Sequence, residues 1–164
     1  MLNKKDFEEL AGKVKVDDFH VMMVSDGSGN LHNKPCGWWC GFYYKPLQKT
    51  KEYYGGCNAG SVNYAELSPF LHTLYVFHSA LVKVNLLNSV DEWKILLISD
   101  SEVTVKCGNK EYQRKSNLPL WAQIDWYAQN GFDLNWKWVK RNTNPVSLKA
   151  DTISKKIRKS MENI

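Results

Sequence analysis

Phe19-His20-Val21-Met22-Met23-Val24-Ser25-Asp26-Gly27-Ser28-Gly29 decides the fold. From Phe19 to Ser25 the run is almost wholly apolar, the pattern of a strand buried on both faces. It halts at Asp26-Gly-Ser-Gly, whose residues favour turns. A carboxylate placed where a buried strand stops is costly unless something neutralises it. A second apolar run, Trp93-Lys-Ile-Leu-Leu-Ile-Ser99, stops in the same way at Asp100-Ser101. Two acids at the ends of two buried strands point to one site at one end of a sheet.

Between these runs, Gly37–Tyr44, closed by Pro46, and Lys51–Cys57 read as strands. Their short connections to the first strand predict an antiparallel meander. Asn63 is the candidate N-cap of a helix over residues 65–83, with Leu67, Leu71, Leu74, His78 and Leu81 as its apolar stripe. Pro69 requires that helix either to bend or to begin its regular part near Ser68. Glu66, in Asn63-Tyr-Ala-Glu66-Leu67, falls in the first turn. Shorter helices are predicted over 3–13, 102–106 and 118–129, and a fifth strand over 133–139. A last helix over 147–161 carries Asp151 and a stripe of Ala150, Ile153, Ile157 and Met161. Strands reached through helices run parallel to the first. The pattern predicts one α/β domain over residues 19–164, preceded by an N-terminal extension, residues 1–18, with a short helix.

A chain of 164 residues with 43% apolar and 13% aromatic content can bury a core of its own. No apolar run approaches the roughly 20 residues that span a bilayer. The N-terminus lacks the apolar stretch of a signal peptide, so a cytoplasmic location is expected. Cys36, Cys40, Cys57 and Cys107 form no Cys-x-x-Cys pair and have no histidines at ligand spacing, which predicts reduced thiols. The net charge of +5 is compatible with a polyanionic partner.

Taken singly, each acid has an ordinary reading. Asp26 suits a turn, Glu66 the positive end of a helix, Asp100 a helix cap, and Asp151 a solvated face. Asp91, Asp125 and Asp133 read as surface residues. Trp38, Trp39, Trp136 and Trp138 are expected in the core. Trp121 and Trp126 either cover the sheet or lie near a nucleic-acid groove. His20, His72 and His78 receive no chemical role.

In their order, however, Ser25-Asp26-Gly-Ser, Gly55-Gly56, Asn63-Tyr-Ala-Glu66-Leu, Ile98-Ser-Asp100-Ser, Trp136-Lys-Trp-Val-Lys140 and Ala150-Asp151 resemble ribonuclease H, its type 1 branch in particular. The resemblance covers residues 19 to about 160. It implies a ribonuclease H-like fold with a mixed five-stranded sheet, three antiparallel strands followed by parallel ones, flanked by helices. It implies an endoribonuclease, active as a monomer and without a membrane, that cuts the RNA strand of RNA–DNA hybrids and leaves 5′-phosphate and 3′-hydroxyl ends. Asp26, Glu66, Asp100 and Asp151 would then hold two Mg²⁺ ions, with Mn²⁺ as a substitute. Hard cations prefer such oxygen ligands. By position, Ser28, Gly29, Asn33, Asn63, Glu102, Arg141 and Asn142 would contact the substrate.

The chain departs from the family's pattern at several points. Val62-Asn63 stands where a pair of Asn is common, Glu102 where Gln is, and Asn142 where a loop His is. The segment after Asp100 is too short for the family's basic protrusion, though Lys106, Lys110, Arg114 and Lys115 remain to meet phosphates. The alternatives are another nuclease of the same fold, a junction resolvase or an exonuclease, or a nucleic-acid-binding module with weakened catalysis.

Overall fold

The computed structural model describes residues 2–29, 34–141 and 145–162; the side chains of residues 34, 59 and 145–151 lie outside that description. The strands are β1 (Val21–Ser28), β2 (Lys34–Tyr44), β3 (Lys49–Gly60), β4 (Trp93–Ser99) and β5 (Phe132–Trp138). The helices are α1 (Lys4–Ala11), α2 (Val62–Lys83), α3 (Glu102–Gly108), α4 (Leu118–Gln129) and α5 (Pro145–Glu162). One sheet has the order β3-β2-β1-β4-β5. The β1–β2 and β2–β3 pairs are antiparallel, and the β1–β4 and β4–β5 pairs are parallel.

The central position of β1 explains its sequence. All eight of its residues are buried, because helices cover both faces of the sheet. Its side chains alternate between two cores. Val21 and Met23 join Phe42, Ile95 and Leu97 against α2 and α4. Met22 and Val24 join Trp39, Leu96 and Ile98 on the opposite face, with Phe7, Leu10 and Ala11 of α1 and Ile153 of α5.

The first strand runs farther than the apolar pattern indicates. It does not stop before Asp26, because Asp26 stays opposite Trp39, Gly27 opposite Trp38 and Ser28 opposite Gly37. A partner strand on hand outweighs the turn propensity of Asp-Gly-Ser. For the same reason β2 and β3 begin earlier and β3 ends later than predicted, since they pair along most of their length.

Helix α2 starts one turn's fraction earlier than expected. Ser61, not Asn63, is its cap, accepting the Tyr64 N–H at 3.2 Å. Pro69 sits inside the helix without ending it; its carbonyl takes a 2.8 Å hydrogen bond from Thr73 Oγ1. The buried stripe is Leu67, Phe70, Leu74, Phe77 and Leu81. Leu71 and His78 flank it, and His78 meets the rings of Trp126 and Tyr127 on α4.

Two glycines set the distances between sheet and helices. A Cβ on Gly27 would stand 2.3 Å from the Ala65 carbonyl carbon on α2, and one on Gly37 would stand 2.3 Å from the Ser154 carbonyl oxygen on α5. All four cysteines are free. Cys36 and Cys57 lie opposite each other on β2 and β3.

Replacing Gly37 by Ala is expected to push α5 off the sheet and cost about 1–3 kcal/mol. Urea unfolding should show a lower midpoint with an unchanged slope. A wild-type midpoint would contradict this packing account.

Candidate metal centre

Parallel pairing places Ser25 beside Ser99, so the next residue on each strand, Asp26 and Asp100, falls at the same end of the sheet. Asp26 shares the side of β1 that faces α5, by alternation with Met22 and Val24. Ser25 and Gly27 face α2. The Ser25 hydroxyl donates to the Glu66 carbonyl at 3.0 Å, and bare Gly27 lets the Ala65–Glu66 peptide come against the strand. Glu66 thereby reaches the two aspartates. One carboxylate oxygen from each of Asp26, Glu66 and Asp100 lies within 4.8 Å of the others.

Burial makes this arrangement expensive. Asp26 is 3% exposed and Glu66 6%. Loss of water, then the charges of Asp100 and Asp26, push the Glu66 carboxyl well above the ordinary range for a carboxylate. The Gly27 N–H and the positive charge of Arg141 act in the opposite direction. Glu66 Oε2 is buried and has no hydrogen-bond partner among the described residues. An all-oxygen set with an orphaned buried oxygen fits a hard divalent cation.

Asp100 has been freed from capping. Ser101 caps α3 instead, accepting the Thr104 N–H at 3.2 Å, and its own N–H is held by Ser99 Oγ at 3.0 Å. Trp138 Nε1 donates to the Asp100 carbonyl at 3.1 Å. Position 151 lies in α5, but the Asp151 side chain is outside the described residues. Three residues further along α5, Ser154 is fully buried, and its hydroxyl meets Asp26 Oδ2 at 3.4 Å.

The other predicted site residues divide. Ser28 is buried at the end of β1. Gly29 adjoins the start of α2, where a Cβ would stand 3.1 Å from the Val62 nitrogen. Asn63 is exposed on the first turn of α2, and Arg141 is exposed beyond β5. Asn33 and Asn142 lie outside the described residues. Glu102 turns to its own helix, pairing with Lys106 at 2.9 Å. Arg114 is structural: it bonds Asp125 Oδ2 at 2.5 Å and the Cys107 carbonyl at 3.1 Å, and stands over the Trp121 ring at 4.2 Å. Asp125 is therefore not a bystander on the surface. Trp121 is buried over the sheet, and Trp138, expected in the core, is 45% exposed.

Sequence reading missed Ser25, Gly27 and Ser154, which hold or admit the acids. Only Ser154 left a signal, its three-residue spacing from Asp151 on one helix.

No family model matches the chain, and no curated protein matches it. Solved structures do. The chain is similar to the N-terminal RNase H domain of a Mycobacterium tuberculosis protein, with 18% identity and a TM-score of 0.67 over 87% of this chain and 96% of that one. It is similar to LC11-RNase H1, solved with an RNA/DNA hybrid, with 15% identity and a TM-score of 0.68 over 85% and 97%. RNase H1 of the archaeon Halobacterium salinarum shares 17% identity and a TM-score of 0.60 over 85% and 98%. The five-stranded mixed sheet with its flanking helices is the ribonuclease H-like fold.

The raised Glu66 affinity for protons has a defined sign. The folded state holds that proton to a higher pH than the unfolded chain does, so it binds more protons in the window between the two. The site's contribution to stability is present below the ordinary carboxylate range and is lost as pH rises. In EDTA, wild-type Tm should therefore fall, relative to Glu66→Gln, as pH rises above the ordinary carboxylate range. Millimolar Mg²⁺ should restore about 1–2 kcal/mol there, about 2–8 °C. A Tm indifferent to both Glu66→Gln and Mg²⁺ would contradict a strained carboxylate centre.

Proposed function

We propose that the protein is an endoribonuclease that hydrolyses the RNA strand of RNA–DNA hybrids, leaving 5′-phosphate and 3′-hydroxyl ends. The observation that carries this reading is the meeting of Asp26, Glu66 and Asp100 at one end of a ribonuclease H-like sheet. In this reading Asp151 completes the set, and the four carboxylates hold two Mg²⁺ ions, replaceable by Mn²⁺. Ions held by these carboxylates would supply the activation of a water and the stabilisation of the leaving oxygen.

The chain's own residues do the remaining work. Asp26 and Glu66 place carboxylates in a site with little water, where a carboxylate that has given up its proton would bind a cation more strongly than it would in solvent. Ser25 and Gly27 fix the height of Glu66 above β1. Ser154 and Trp138 hold the Asp26 carboxylate and the Asp100 backbone in place. Ser28, Gly29, Asn33 and Asn63 contact the minor groove, where a 2′-hydroxyl distinguishes RNA from DNA. Arg141, whose charge is felt at Glu66, and Asn142 would contact the substrate. Glu102, tied to Lys106, adds no charge to the metals. A single chain supplies every group, so a monomer suffices. The RNA/DNA hybrid seen on LC11-RNase H1, which shares the fold, favours this substrate class.

The test uses labelled RNA–DNA hybrid, duplex RNA, duplex DNA and a four-way junction, each with Mg²⁺, with Mn²⁺ and with EDTA. Metal-dependent cutting confined to the hybrid is expected, with Asp26→Asn, Glu66→Gln and Asp100→Asn each lowering kcat by about 10²–10³-fold or more. Cutting of the junction alone would replace this reading with a resolvase. Hybrid binding without cleavage under any metal would leave a binding module.

A further inference from the structure

At the end of the molecule away from the acids, α2 and the β2–β3 hairpin enclose an apolar groove of about 310 Å³. Phe42, Tyr44 and Phe77 form its floor, and Leu81 and Val84 form its helical wall. Leu81 is fifteen residues beyond Glu66 on α2, which sets the groove about 22 Å from the acidic centre at 1.5 Å per residue. Its rim is apolar and open: Leu47 is 63% exposed, Val84 60% and Leu86 43%.

Two features specify an occupant. Lys49 and Lys51 line the groove, no carboxylate does, and among the described residues neither lysine forms an ion pair. The groove therefore joins apolar surface to unpaired positive charge. The second feature is the sheet edge. β3 has β2 on one side and no strand on the other, so its outer backbone groups are open to an added extended segment. A nucleic acid would match the lysines and leave the aliphatic wall unused. A wholly apolar segment would bury the lysine ammonium groups without partners.

We propose that this groove docks an extended peptide that carries large apolar side chains and carboxylates on one face, the apolar groups entering between Phe77 and Val84 and the carboxylates meeting Lys49 and Lys51. A partner held there leaves the acidic centre open, so the surface tethers the protein without blocking its site.

The probe is the fluorescein-labelled peptide Ser-Phe-Ser-Asp-Ser-Leu-Ser-Asp, whose apolar and acidic residues share one face when extended, followed by anisotropy on the full chain. Saturable binding is expected. Lys49→Glu combined with Lys51→Glu should weaken it about tenfold or more, as should replacing every Asp of the peptide by Asn. Val84→Asp, at an exposed position, should weaken it by a similar factor, with circular dichroism confirming the fold of both variants. Asp26→Asn should leave peptide affinity unchanged, which separates this surface from the metal centre whether or not the chain cleaves hybrids. Four results would overturn the proposal. They are no saturable binding, affinity indifferent to the lysine reversals, displacement of the peptide by single-stranded DNA that binds more tightly, and a wild-type dimer that Val84→Asp converts to monomer.

Discussion

Nothing but hydrogen stands between β1 and α2 at Gly27, and the site depends on that contact. The Ala65–Glu66 peptide rests against the strand where any Cβ would collide with backbone atoms. Backbone cannot swing aside as a side-chain tip can, so the height of Glu66 over Asp26 is set by the fold itself. The Ser25 hydroxyl on the Glu66 carbonyl fixes the same contact from the strand side. The third acid arrives through the parallel pairing of β1 and β4, which sets Ser25 beside Ser99 and so brings Asp26 and Asp100 to one level. Three elements distant in sequence are thus held to a spacing that like charges would otherwise refuse.

The resulting electrostatics run against stability and toward function. Isolated buried carboxylates cost several kcal/mol and usually escape by taking up a proton. Glu66 shows that escape, its proton affinity raised by burial and by the two aspartates. A site built to relieve the strain by itself would have placed donors on Glu66 Oε2. Among the described residues it has none. A cation supplies what the chain withholds, and binding that favours the folded state returns the stability.

Much of this was legible in the residues. The runs ending at Asp26 and Asp100 identified the two central parallel strands, and β4 and α4 fall where the pattern puts them. What the pattern misjudged were places where tertiary contact overrules local propensity. Asp26-Gly27-Ser28 reads as a turn yet stays paired to Trp39, Trp38 and Gly37. Pro69 leaves open whether the helix bends or only begins there; the regular helix begins earlier, at Val62, and the packing of Leu67, Phe70 and Leu74 holds it on both sides of the proline. Side-chain partners were less visible still. Nothing in the sequence ties Arg114 to Asp125, because that pairing depends on where short loops lead the chain, whereas the Glu102–Lys106 pair follows the i,i+4 spacing of one helix. Ser154 offers only its three-residue spacing from Asp151 until α5 is seated on Gly37.

The acidic centre is tested most directly by soaking crystals of the protein in Mn²⁺ and collecting data at the manganese edge. The account predicts anomalous density among the carboxylate oxygens of Asp26, Glu66 and Asp100, absent in Asp26→Asn. Carboxylates that remain metal-free at saturating Mn²⁺, with Glu66 protonated or drawn to Arg141, would contradict it.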